Sequence, residues 1–244
     1  MGFYAVYSRE LLLLRKKIGR MGYVFSSVIS PFIYLFAFGY GLGNRIEITG
    51  GYLPFLAGGI IGVTVMINAF QQTASSISAG KFYYHVFQSL VLSPVRSGSV
   101  IAGIIAAGMV RALFFGSLIF IMAQLVFQVN GSILLFLFGA LLGSFCFSAL
   151  GVIVGLLVRH PDDIAFVNNF LIMPMTFFGG SFFPVQSLPV WMQYMVGLFP
   201  IGALNHLLRG QQWDFEMWLA ASLLLGLGIV FFAVGVYLYR QYSE

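Results

Sequence analysis

Six apolar runs, each about as long as a bilayer is thick, constrain this chain more than any other feature. Residues 23–43 pass without a single charge. At 1.5 Å per residue a helix of that length spans about 31 Å, the depth of a membrane's hydrocarbon core. Runs 53–74, 100–127, 133–158, 164–183 and 217–239 repeat the pattern, and Arg111 is the only charge inside any of them. Backbone polar groups in lipid must be satisfied within their own segment, so such runs fold as helices. Of 244 residues 60% are hydrophobic and 8% charged, where a soluble domain carries roughly 25% charged residues. The chain reads as an all-α integral membrane protein, one transmembrane domain over 1–244 with six transmembrane helices. The first run follows Arg20 and has no small-x-small site after it, so it is expected to be a retained span and not a cleaved signal.

Charge placement predicts the orientation. Arg9, Arg15, Lys16, Lys17 and Arg20 precede the first span, and Lys81, Arg96, Arg159 and Arg240 fall on the same side of a six-span topology. The other side holds Arg45 and Arg209. Basic loops stay inside, so both termini are expected in the cytoplasm of a prokaryotic cell, the chain being multi-pass in the inner membrane. Tyr237, Tyr239 and Tyr242 form an aromatic anchor there. Residues 1–22 read as an amphipathic interfacial helix. Phe3, Tyr7, Leu11, Leu14 and Ile18 face the lipid, and Arg9 and Lys16, with Glu10 beside them, face the headgroups. A plain basic flank is the alternative.

Glycine pairs at i and i+4, among them Gly58/Gly62, Gly139/Gly143 and Gly151/Gly155, allow close helix approach in lipid. Cys146 stands alone in an apolar run and reads as a small buried residue. Metal-ligand spacings are absent from the sequence, as are a polar basic domain that would hold nucleic acid and a GxSxG setting that would serve a hydrolase.

The fifth run ends in broken backbone. Pro184, Pro189 and Pro200 cannot sit inside one continuous helix, because each removes a donor and clashes with the preceding turn. Broken helix at membrane depth survives only where protein or water covers the freed groups. Residues 184–210 therefore read as an extracytoplasmic re-entrant helical hairpin between spans five and six. Phe183, Pro184, Pro189, Trp191, Pro200 and Arg209 mark an outer gate, with Arg209 an anchor near the headgroups.

Residues 75–99 link spans two and three. Ser75 and Ser78 offer a helix start and Pro94 a stop. Phe87, Leu90 and Val91 would be exposed on a short helix, either in a partner's groove or on lipid. Arg111 costs about 2.5–3.5 kcal/mol at a helix centre, so it is either a buried contact, steering an anionic headgroup, or it snorkels toward the cytoplasm. Asn68, Gln71 and Gln72, and separately Asn168 and Asn169, either line a polar path or bridge helices. Asp162 and Asp163, beside Pro161, read as caps that start span five.

Three stretches carry a resemblance. The first is Gly179-Gly180-x-Phe182-Phe183-Pro184, followed by Leu188-Pro189, Trp191, Phe199-Pro200 and Leu208-Arg209-Gly210. The second is Gly80-Lys81-Phe82 through Leu90-Val91-Leu92-Ser93-Pro94-Val95, and the third is Ala102-Gly103 with Arg111. In this order, across six spans, the chain resembles the membrane subunit (permease) of type-2 ABC exporters. That resemblance implies a coupling helix in 75–99, with Lys81, Phe82, His85, Phe87, Gln88, Leu90, Val91 and Pro94 contacting an ATP-binding subunit. Gln88 or His85 stands where the family often carries an acid. The resemblance also implies two ATPase copies, a second permease copy as a homodimer, and surrounding membrane lipids. No GxxxxGK[ST] loop occurs in the sequence, so no cofactor is expected on this chain, and ATP and Mg belong to the partner. The expected activity is export of an amphipathic, lipid-like, drug or glycan substrate, the chain itself being no enzyme. A non-ABC channel or intramembrane enzyme is the alternative, disfavoured by the nearly pure apolar spans.

Overall fold

The computed structural model describes residues 2–19, 21–43, 48, 50–83, 95–160 and 162–242, and every regular element among them is a helix. In chain order these are α1 (Gly2–Ile18), α2 (Met21–Leu42), α3 (Tyr52–Phe82), α4 (Ser97–Phe127), α5 (Ile133–Leu157), α6 (Asp163–Phe178), α7 (Val190–Gly197), α8 (Pro200–Arg209) and α9 (Phe215–Gln241). Five of them, α2, α3, α4, α5 and α9, are long and apolar enough to cross a membrane.

Helix α3 is the axis of the bundle. It packs along α5 and α4 and is touched by α2 and α8. Lipid is as apolar as leucine, so close backbone approach and dispersion hold such helices together, not exclusion from water. The glycine pairs supply that approach. A Cβ at Gly155 would lie 2.9 Å from Ile77 Cβ and 3.0 Å from the Ala74 carbonyl, and one at Gly151 would lie 2.5 Å from the Phe70 carbonyl. On the far half of α5, Gly139 and Gly143 instead make room for Leu207 and Leu204 of α8. A second apolar cluster seats α1: Val6 meets Ile101, Ile104 and Ile105 of α4, and Gly103 brings the two helices together.

Several expectations change. Span two does not end at Ala74 with a fresh start at Ser75 or Ser78, because α3 continues to Phe82. A serine caps only where backbone donors are free, and here Ile77 and Ser78 are buried within an uninterrupted helix. The fifth apolar run does not stay helical to residue 183. It forms the 16-residue α6, about 24 Å long, with a π-helical turn over Asn168–Ile172. Gly179 and Gly180 end it, the latter at φ +72. Helix α1 spans Gly2–Ile18, and its buried face is Val6, Glu10 and Leu14, so Leu14 and Glu10 do not take the opposite sides expected of them, while Phe3 is exposed. A packed helix turns toward its protein partners, and a partner for Glu10 exists on α3.

After α6 the prolines act as the sequence predicts. Pro184 precedes a 3-10 turn (Val185–Ser187), Pro189 precedes α7, and Pro200 is the first residue of α8, a position where its missing N–H costs nothing. Helix α8 is no loose lid, however. Pro200, Ile201, Leu204, Asn205 and Leu207 are buried against α3, α5 and α9.

Candidate functional site

Among the described residues two of the polar centres in the apolar bundle are each built around one arginine. The first joins α8 to the turn after α6. Asn205 and Arg209 lie one helical turn apart and face the same way. Asn205 Nδ2 donates to the Gly179 carbonyl (3.1 Å) and to Ser181 Oγ (2.9 Å). Arg209 Nη2 donates to the carbonyls of Gly180 (2.7 Å) and Ser181 (3.2 Å), and its Nε donates to the carbonyl of Phe55 on α3 (2.9 Å). Its guanidinium carbon sits 3.5 Å over the Phe55 ring. This arrangement accounts for the Gly-Gly-x-Phe-Phe-Pro stretch. The turn exposes consecutive carbonyls, and Gly58, Gly59 and Gly62 on α3 leave space for Arg209, the Ser181 carbonyl and Asn205. The expected headgroup anchor at Arg209 is thus corrected. Its charge turns into the protein and ties three segments together.

The second centre lies between α3 and α4. Arg111 is 8% exposed. Its Nε donates to Asn68 Oδ1 (3.1 Å) and its Nη1 to Gln72 Oε1 (3.0 Å). The Tyr23 and Phe115 rings lie 5.5 and 5.9 Å from its guanidinium carbon. Of the two readings of Arg111, snorkelling is overturned, because α4 already begins at Ser97 and the side chain reaches across to α3. Asn68 and Gln72 bridge helices, and Gln71 is half-buried on the side of α3 that faces α2.

Beside Arg111 runs a groove of about 340 Å³ between α2 and α3, closed at one end by Phe182. Ser26, Ser27 and Ser30 line its α2 wall, and Thr64, Asn68 and Gln71 its α3 wall, with Ile60, Val63 and Ile67 between. A shallower hollow continues from Gln71 past Ser75 and Ser78 to Ala165 and Asn168 of α6. Asn168 is half-buried, and Asn169 is exposed, away from both hollows. The groove serines were missed in the sequence, although their i, i+1, i+4 spacing in an otherwise apolar run is a readable signal. Ser26 and Ser27 donate to the Tyr23 carbonyl and Thr64 to that of Ile60, so they offer the groove acceptor lone pairs.

At the α1 end of the bundle, Ser76 Oγ donates to Glu10 Oε2 (2.6 Å), and Arg9 lies 3.7 Å from the same carboxylate. Lys16 is exposed. Lys81 Nζ donates to the Leu156 and Val158 carbonyls (2.8 and 2.9 Å) and to the Tyr242 hydroxyl (3.0 Å). It caps the last turn of α5, where free carbonyls favour a cation, and Phe82 ends α3 beside it. His85, Phe87, Gln88, Leu90, Val91 and Pro94 lie outside the described residues. Asp162 and Asp163 do not cap α6 forward. Asp163 Oδ2 accepts from the N–H groups of Arg159 (3.0 Å) and His160 (2.8 Å), which hold its carboxyl below the usual range.

In the hairpin, Phe183, Pro189 and Trp191 are exposed, Pro184 is half-buried and Pro200 buried. The gate positions therefore differ in exposure.

Comparison with known proteins follows the same outline. A family model described as ABC-2 type transporter matches residues 1–213. The chain is 33% identical over 178 residues to the inner membrane transport permease YadH of Escherichia coli K12, covering 71% of this chain and 69% of that one. It is 26% identical over 212 residues to nodulation protein J of Rhizobium leguminosarum bv. viciae, covering 86% and 81%. Against nodulation protein J of Sinorhizobium fredii NGR234 it is 27% identical over 213 residues, covering 86% and 80%.

Proposed function

Since this chain belongs to the ABC-2 type transporter family, we propose that it is the permease subunit of an ATP-driven exporter in a prokaryotic inner membrane. Two copies of a separate ATP-binding subunit would bind ATP and Mg and drive it. The observation that carries this reading is the groove between α2 and α3. It opens on a flank where α2 is buried only at Leu35 and Gly39 among the side chains described. Such a groove is half of a path, and a second copy of the chain completes it as a homodimer.

In this reading both termini are cytoplasmic. Helix α6 and the turn after it, up to residue 183, make the fifth of six crossings, and α9 makes the last. The α1 helix lies at the cytoplasmic interface, and 184–210 forms the re-entrant hairpin on the outer side. Residues 75–99 couple the permease to its ATPase. The first part of that region is the end of α3, which Glu10 and Lys81 tie to α1 and α5. A push on the coupling segment therefore reaches the same helix that walls the groove. The cargo is amphipathic, since the groove alternates hydroxyl and amide groups with aliphatic side chains.

The test is co-purification. Phe87→Asp with Leu90→Asp should leave membrane insertion intact and abolish capture of the co-expressed ATP-binding subunit. Normal capture by that variant would mean that the segment lies on lipid instead.

A further inference from the structure

We infer that Arg111 and Tyr23 form a subsite for the anionic headgroup of an amphipathic molecule, a phosphate or carboxylate on an apolar tail. The inference rests on the permease reading and deepens it, by naming the chemistry that the groove accepts.

Arg111 is a cation inside the bundle whose hydrogen-bond acceptors, Asn68 and Gln72, are both neutral amides. Among the described residues no carboxylate pairs with it. A buried charge is normally matched by an opposite one, because desolvation otherwise exceeds what neutral partners return. Among the described residues its Nη2 has no hydrogen-bond partner, although Arg carries five donors in a fork that fits carboxylate and phosphate oxygens.

The Tyr23 hydroxyl is the second donor. It is shut off from the surface and has no hydrogen-bond partner among the described residues. Its ring lies 5.5 Å from the Arg111 guanidinium carbon. Buried hydroxyls are nearly always paired, so an unpaired one beside an unbalanced guanidinium points to a missing acceptor that both would share.

The tail has a place as well. Arg111 borders the α2–α3 groove, whose floor is Ile60, Val63 and Ile67. An acyl or polyisoprenoid-like chain would lie on these residues while its headgroup reaches Arg111 and Tyr23. A free inorganic anion would gain nothing from them.

Binding to the purified permease in phosphatidylcholine nanodiscs tests this, with dodecyl phosphate as the charged probe and dodecyl maltoside as the uncharged one. Wild type should bind dodecyl phosphate more tightly. Tyr23→Phe, which removes only the hydroxyl, should weaken dodecyl phosphate about tenfold, the worth of one charge-assisted hydrogen bond, and leave dodecyl maltoside unchanged. Arg111→Gln should weaken it further. If Arg111→Gln does not fold, wild type and Tyr23→Phe still decide. Equal affinity of wild type for the two probes overturns the subsite, and so does full dodecyl phosphate affinity in folded Tyr23→Phe.

Doping the discs with phosphatidic acid separates the two sources of such a headgroup. Competition identifies a resident membrane lipid, and no competition identifies a separate cargo; both uphold the subsite. Loss of ATP-binding-subunit capture would remove the exporter reading while leaving probe binding as it is, so the two claims fail separately.

Discussion

At the scale of single residues, the two arginines show what a charge does inside an apolar bundle. Arg209 is satisfied by carbonyls and a ring, and its role is to hold the turn after α6 against α3 and α8. Arg209→Ala would leave the Gly180 and Ser181 carbonyls without the Arg209 donor, would lose the added bond to the Phe55 carbonyl, and should cost roughly 3 kcal/mol. Thermal unfolding of the detergent-solubilised protein should show the loss. Arg209→Lys should rescue little of it, because a single ammonium cannot reproduce the planar fork or the stacking on Phe55. An unchanged melting temperature in Arg209→Ala would mean that packing of α8 alone fixes the turn. Arg111 was legible as an expensive residue, but its partners were not. Asn68 and Gln72 are an i, i+4 pair on α3 and could be read as one face. That this face meets Arg111 depends on the α3–α4 crossing, which no local spacing encodes.

At the scale of elements, glycine placement decides which helices meet. The small-residue pairs were visible in the sequence as a packing signal, yet their partners could not be read from it. Gly151 and Gly155 serve α3, while Gly139 and Gly143 serve α8. The contrast gives a direct test. Gly151→Ala forces a Cβ toward the Thr73 side chain and within 2.5 Å of the Phe70 carbonyl, and overpacking of that kind costs roughly 1–3 kcal/mol. Gly226→Ala on α9 meets nothing within 4 Å and should be neutral within about 0.5 kcal/mol. Melting temperatures of the two variants should separate, and equal values would count against glycine-mediated α3–α5 packing. The proline pattern after α6 gave the short helices correctly because proline acts locally. The apolar face of α8 was readable, since Ile201, Leu204 and Leu208 recur at i, i+3 and i+7, but the neighbours that cover it were not. The end of α6 was also hidden. An apolar run shows where a helix can continue, whereas Gly180 needs its left-handed backbone because Asn205 and Arg209 capture the neighbouring carbonyls.

At the scale of the whole molecule, the bundle has a filled side and an open side. On the filled side α3, α4, α5, α8 and α9 interlock through glycines and two apolar clusters. On the open side α2 and α6 flank a groove with polar walls and an aliphatic floor. Composition alone announced a multi-span membrane chain. It could not distinguish a face for lipid from a face for a second copy, because both are apolar. In the proposed dimer the open side faces a second copy across the path. Cross-linking tests it most directly. Tyr34→Cys on α2 and Ile229→Cys on α9 are each placed in a Cys146→Ser background, and membranes are treated with a short bis-maleimide. A covalent dimer is expected from Tyr34→Cys, with a yield that changes when ATP and the ATP-binding subunit are present, and none from Ile229→Cys. A dimer through Ile229→Cys and none through Tyr34→Cys would contradict it.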